Sequence, residues 1–249
     1  MAGHNKWSKI KRLKAVVDSK RGAVFSKFSK EITIATKLGG TNPDMNPRLR
    51  SAILAAKAQN MPNDNIDRAI KKGCGDLGGA IPDEALYEAY GPTGTAFLIE
   101  VVTDNRNRAA ADLRVLLNKN HGTFADSGSV SYQFQRKGEI RLPESTFDED
   151  TATEVALECG ADDVTSDGSD WIFYTAVENL FLVGTALKDK GHEPRSQVLV
   201  YVADNNLLLT DIELANQVVH LHEVLSEYDD TQNVYSNFDI SDDIADNLG

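Results

Sequence analysis

Cysteine is nearly missing from this chain. Only Cys74 and Cys159 occur in 249 residues, with no CxxC spacing and no Cys/His pairing. That excludes a disulfide framework and a thiolate zinc site, and it points to a reducing compartment. Long apolar runs are missing too, since no stretch approaches the roughly 18 apolar residues of a membrane span. The opening MAGHNKWSKIKRLK carries positive charge without the apolar centre of a signal peptide, so a cytoplasmic protein that avoids the membrane is expected. Gly91 and Gly94 bracket a hairpin turn and make neither GxGxxG nor GxxxxGKS/T, so nothing in that turn argues for a nucleotide. His220 and His222 stand two apart on a helical stretch and face different sides, unlike a metal pair at i and i+4. Acids are plentiful, yet Asp148, Glu149, Asp150, Asp162, Asp163, Asp167 and Asp170 scatter over loops and helix starts. They lack fixed ligand spacing and a general base, and read as solvated or helix-capping charge. No catalytic residue, cofactor or metal is expected, and a metal-dependent nuclease is the weakest of the readings considered.

The charge that is present is sorted by position. Residues 1–72 hold 16 Lys or Arg against 5 Asp or Glu, whereas the remainder holds 10 against 33. The net charge of −12 therefore averages a cationic pole with an anionic body. Association responds to local potential and not to the average, so the basic third is where a polyanion would dock and the acidic remainder would be kept clear of it.

Within the first 80 residues, Gly and Pro divide the chain into short helices. Val24, Phe25, Phe28, Ile32 and Ala35 recur at helical spacing on one side, with Lys27, Lys30 and Lys37 on the other, up to Gly39 and Gly40. A second helix is predicted from an Asn46 cap and Pro47, with Leu49, Ile53 and Ala56 inward. A third follows Pro62, with Ile66, Ala69 and Ile70 inward and Arg68, Lys71 and Lys72 outward, ending at Gly73. The leading segment surrounds a loose stripe of Trp7, Ile10, Leu13 and Val17 with lysines, and reads as a marginal helix or an arm that a polyanion orders.

From residue 84 the period changes. Strands are predicted at 86–90, 96–102 and 129–134, with a helix at 106–119. Residues 139–202 then give strand, helix, strand, strand, helix, strand, which is the ferredoxin-like βαββαβ unit. A helix at 211–227 and a strand at 233–235 remain. They bury too little to stand alone, and are expected to return to the sheet of residues 84–134. The fold class is multi-domain α and α+β: a basic helical bundle at 1–80, a discontinuous middle α+β domain at 81–136 plus 204–249, and an acidic ferredoxin-like domain at 137–203 inserted in it.

Several long blocks carry a likeness to a known family. MAGHNKWSKIK, NPRLRSAILAAKAQNMPNDNIDRAIKKG at 46–73, YEAYGPTG at 87–94, TDNRNR at 103–108, GSVSYQF at 128–134 and QNVYSN at 232–237 resemble the YebC/PmpR family, in order and over essentially the whole chain. Ala89, the loop Asn120-His121-Gly122 and Thr231 depart from its usual pattern. The resemblance implies three domains, the third inserted in the second, and no enzyme activity. It also implies a DNA-binding transcriptional regulator, with a ribosome-associated activator of translation as the alternative, as in mitochondrial relatives.

The candidate nucleic-acid contacts follow from charge and place. Lys6, Lys9, Lys11, Arg12, Lys14, Lys20 and Arg21 could each neutralise a phosphate, and Trp7 among them could stack on an unpaired base. The outward Lys27, Lys30, Arg68, Lys71 and Lys72 extend the same pole. In TDNRNR, Asp104 and Asn105 read as caps, while Arg106 and Arg108 could hold a phosphate near the helix start. The expected partner is promoter DNA or ribosomal RNA within the ribosome, bound by a monomer.

Overall fold

The computed structural model describes residues 21–245. They fold as two compact units, one made of residues 21–133 with 205–245 and the other of residues 134–204. The expected helix or arm over residues 6–20 lies outside the described residues, as do the candidate contacts within it.

The first unit opens with three helices, α1 (Arg21–Gly39), α2 (Pro47–Ala58) and α3 (Asn63–Gly73). Their breaks are chemical. Gly40 takes a left-handed φ of 84° after α1, and Asn46 caps α2 by accepting from the Leu49 amide at 3.1 Å, with Pro47 in the first turn. Ile32, Ala35, Leu49, Ala52, Ala56, Met61, Ile66 and Ala69 form the bundle core, flanked by Phe25, Phe28, Ile53 and Ile70. Gly73 lets α3 meet α1 closely, because a Cβ there would sit 2.5 Å from the Thr33 carbonyl oxygen. Asn46 does more than cap, since its amide also donates to the carbonyls of Ala35 (2.7 Å) and Gly40 (2.9 Å). Replacing Asn46 by Ala removes the cap and both hydrogen bonds from its amide to the end of α1. A loss of about 2 kcal/mol is expected in urea unfolding, against a few tenths for a surface Asn.

The same unit continues through β1 (Asp83–Tyr90), β2 (Ala96–Thr103), α4 (Arg106–Lys119) and β3 (Thr123–Ala125). The second unit follows as β4 (Phe134–Pro143), α5 (Glu149–Cys159), β5 (Asp163–Ser166), β6 (Asp170–Thr175), α6 (Leu180–Asp189) and β7 (Ser196–Ala203). The chain then returns with β8 (Leu207–Leu209), α7 (Ile212–Glu227), β9 (Thr231–Ser236), β10 (Phe238–Ile240) and the single turn α8 (Asp242–Ala245).

In the first unit the sheet runs β3-β1-β2-β9, and β9 lies antiparallel to β2, so the last segment closes the sheet opened by residues 83–103. Phe97, Ile99, Leu113, Leu117, Val218, Leu221, Leu225 and Phe238 are fully buried. The Phe97, His222 and Phe238 rings touch one another with centroids 6.3–6.4 Å apart. Between Glu100 and Val101 the β2–β9 register slips by one residue, which leaves Gln232 as the extra residue of a bulge.

The second unit has strand order β5-β6-β4-β7 with every neighbour antiparallel, the ferredoxin-like arrangement. Ile140, Leu142, Trp171 and Phe173 alternate toward Ala152, Val155, Leu180, Val183 and Leu187 of the two helices. At Gly138 a Cβ would lie 2.8 Å from a Leu180 methyl, so the missing side chain lets α6 settle on β4.

One predicted strand is absent. Residues 129–133 form a loop with a 3₁₀ turn at Ser131–Gln133, and extended structure starts only at Phe134, in the other unit. The cause is Glu88 on β1. Its buried carboxylate accepts the backbone N–H groups of Gly128 (2.7 Å), Val130 and Ser131 (2.9 Å), consuming donors that a strand would offer to a neighbour. The three-residue strands β3, β8 and β10 escape the sequence reading because a period of two cannot be recognised over so few residues.

Candidate nucleic-acid interface

The basic residues of the bundle separate into two populations. The first sits on α3. Asp64 lies in its first turn and Lys71 and Lys72 in its last, each matching the helix dipole, while Ile66, Ala69 and Gly73 are buried. Arg68, Lys71 and Lys72 occupy positions i, i+3 and i+4, hence one outer face, and all three are exposed. None of them is ion-paired among the described residues. Lys57, in the last turn of α2, is likewise exposed and unpaired. The sequence reading missed it, although it falls off the buried Leu49, Ala52 and Ala56 stripe.

The second population is turned inward on the same unit. Lys27 donates to the carbonyls of Ser226 (3.1 Å) and Gln232 (3.4 Å), that is, to the C-terminal turn of α7 and to the bulged residue of β9. A cation suits that helix end. Burial, and then Lys30 beside it, pushes the Lys27 ammonium below the usual lysine range. Lys30 pairs with Asp230 at 3.0 Å and also donates to the Asp229 carbonyl. Lys37 pairs with Asp83, and Arg48 with Glu31 (2.7 Å) and Glu84. The face of α1 opposite the bundle core is therefore not a solvated face: Lys27 and Lys30 are held by the chain's own oxygens. Arg21 opens α1.

TDNRNR is mostly an internal device. Asn105 caps α4 by accepting from the Arg108 amide at 3.1 Å, and Asp104 pairs with Arg108 at 3.0 Å. The Arg108 guanidinium also reaches Asp230 at 2.8 Å, and Asp230 and then Asp104 raise its already high pKa. Burial opposes ionisation of Asp230, but Arg108, Lys30 and the Thr103 hydroxyl outweigh it and hold the carboxyl below its ordinary range. Arg106 is exposed and donates to the Glu84 carbonyl at 3.0 Å, which leaves much of its guanidinium open. Arg108 is thus engaged by two internal carboxylates, whereas Arg106 meets a backbone carbonyl.

In the second unit several of the acids named above have structural work. Asp148 caps α5, accepting from the Thr151 amide at 2.8 Å. Arg141 pairs with Glu139 and Asp167, both at 2.7 Å, and Arg195 with Asp170 at 2.6 Å. Among the described residues no group of three His, Cys, Asp or Glu side chains could hold a metal, and no helix is long and apolar enough to cross a membrane.

A helical bundle whose α3 face exposes cations, joined to a sheet whose chain is interrupted by a ferredoxin-like unit, defines a multi-domain α+β protein. Residues 5–76 match the TACO1/YebC protein N-terminal domain, and residues 82–238 match the TACO1/YebC second and third domain. The chain belongs to the TACO1/YebC family. It is 53% identical to a protein of Akkermansia muciniphila over the full length of both chains. It is also 46% identical to one of Halothermothrix orenii, covering 100% of this chain and 99% of the relative. Both relatives are named probable transcriptional regulatory protein. A crystal structure of a conserved hypothetical protein from Aquifex aeolicus is 42% identical and superposes with a TM-score of 0.85, covering 91% of this chain and 93% of that one.

Proposed function

We propose that this protein is a cytoplasmic, non-enzymatic regulator of gene expression that binds promoter DNA. Residues 1–80 serve as the basic anchor; residues 81–136 with 204–249, and residues 137–203, position it or meet a partner. The observation that carries this reading is the α3 face, where Arg68, Lys71 and Lys72 are exposed and no carboxylate among the described residues is spent on them. Such cations gain free energy by releasing the counterions condensed on a phosphate backbone. The basic residues between 6 and 21 adjoin this pole in sequence, and the regulator names of the relatives point the same way.

A second reading, a ribosome-bound translation factor, is favoured by one feature of the same helix. A recognition helix presents its N-terminal residues to base edges, but the first half of α3 exposes Asn63, Asp64 and Asp67. Carboxylates there suit contact with phosphate and shape better than reading of sequence. Mobility shifts on promoter and scrambled duplexes, set beside cosedimentation with ribosomes at the same salt, separate the two. Selective retention of promoter duplex is the expected result. Equal binding to every duplex together with stable ribosome association would replace the DNA reading with the translational one.

A further inference from the structure

Asp230 stands where four distant segments meet. One carboxylate oxygen accepts from Lys30 of α1 at 3.0 Å, and the other accepts from the Thr103 hydroxyl at the end of β2 (2.9 Å) and from Arg108 of α4 (2.8 Å). Asp230 itself lies in the turn between α7 and β9 and is only 9% exposed. Without its charge, Lys30 and the Thr103 hydroxyl would lose this carboxylate, and Arg108 would keep only Asp104. One turn earlier on α1, Lys27 fastens to the α7 end and to the β9 bulge. On this side α1 is held by cations on oxygen acceptors, while its apolar residues Phe28, Ile32 and Ala35 face the bundle core.

We propose that Lys30, Thr103 and Arg108 form a carboxylate-binding site whose resident ligand is the chain's own Asp230, and that filling this site fastens the first helix of the basic bundle to the sheet. The site is an anion receptor satisfied from within, so a small free carboxylate replaces the side chain once it is removed. This holds whichever polyanion the α3 face binds. A failure of the latch and a failure of the nucleic-acid reading are therefore separate results.

The test uses the full chain as parent, Asp230→Ala, and Asp230→Ala combined with Arg108→Gln. Amide hydrogen exchange over residues 21–39 and thermal melts are recorded in formate and in chloride at equal ionic strength. Asp230→Ala is expected to speed exchange in α1 by about tenfold and lower Tm by about 5 °C. Formate recovers part of both losses in Asp230→Ala only, because the double variant has lost the guanidinium that would hold it. Unchanged exchange over α1, or formate acting equally on all three proteins, overturns the proposal. If Asp230→Ala yields no folded protein, a double-mutant cycle of Lys30→Gln with Asp230→Asn is read instead. Coupling of threefold or more in α1 exchange supports the site, and additive effects overturn it.

Discussion

Replacing Arg68, Lys71 and Lys72 together by glutamine is expected to weaken binding to a nucleic acid duplex by about two to three orders of magnitude at 0.1 M salt. The figure comes from counterion release: each neutralised phosphate contributes a slope of about 0.9 in the log of affinity against the log of salt, so three contacts remove about 2.7 from that slope. Glutamine keeps helix propensity and adds no repulsion at the helix end, so α3 stays formed and its buried Ile66, Ala69 and Gly73 stay packed. Binding isotherms from 50 to 300 mM salt measure both quantities. An unchanged slope would mean that this face touches no phosphate. Lys27→Gln is the contrasting control, since its ammonium serves the Ser226 and Gln232 carbonyls and its loss acts on stability.

Glu88→Ala is expected to cost about 3–5 kcal/mol and to lower Tm by about 10 °C, because three backbone donors lose a charged acceptor and Val130 is fully buried beside them. The effect is tied to pH. Burial opposes ionisation of Glu88, but the N–H groups of Gly128, Val130 and Ser131 outweigh it and hold the carboxyl below its usual value. A carboxyl lowered in the folded state contributes fully above its unfolded pKa of about 4.3, and that contribution is lost as pH falls through the folded value. Asp230 has the same sign. The parent should therefore lose stability as pH drops below about 4.5, and Glu88→Gln should flatten that loss. Parallel pH profiles of parent and variant would show that Glu88 does not titrate with unfolding.

Much of the architecture is legible in local chemistry. Gly39-Gly40, Asn46-Pro47, Pro62 and Gly73 mark the helix limits within a residue or two, because capping and left-handed turns depend on the residue at the spot. The ferredoxin-like order emerges for the same reason, since its strands alternate and its helices have single apolar stripes. What stays hidden depends on distant partners. A helical wheel tells which face of α1 avoids the bundle core, but not whether water or protein covers that face. Lys27 finds its acceptors some 200 positions along the chain, as Lys30 does. The loop at 126–133 is hidden likewise, because an alternating pattern such as SVSYQF suits a strand until a carboxylate from β1 takes its amides. Arg68, Lys71 and Lys72 are the opposite case, as an exposed face needs no distant partner to be recognised.

The placement of the ferredoxin-like unit inside the other unit has a temporal consequence. During synthesis the stretch from β4 to β7 emerges whole, with its first and last strands paired through Phe134 and Ala203, and can fold as soon as it is free. The sheet begun by β1 and β2 has to wait for α7 and β9, more than 100 residues downstream of β2, before its centre closes. At about 5–20 residues per second that is a delay of at least five seconds. In that interval the apolar strand AFLIEVVT has one unpaired edge, and a nascent chain halted there presents a surface that a chaperone would recognise.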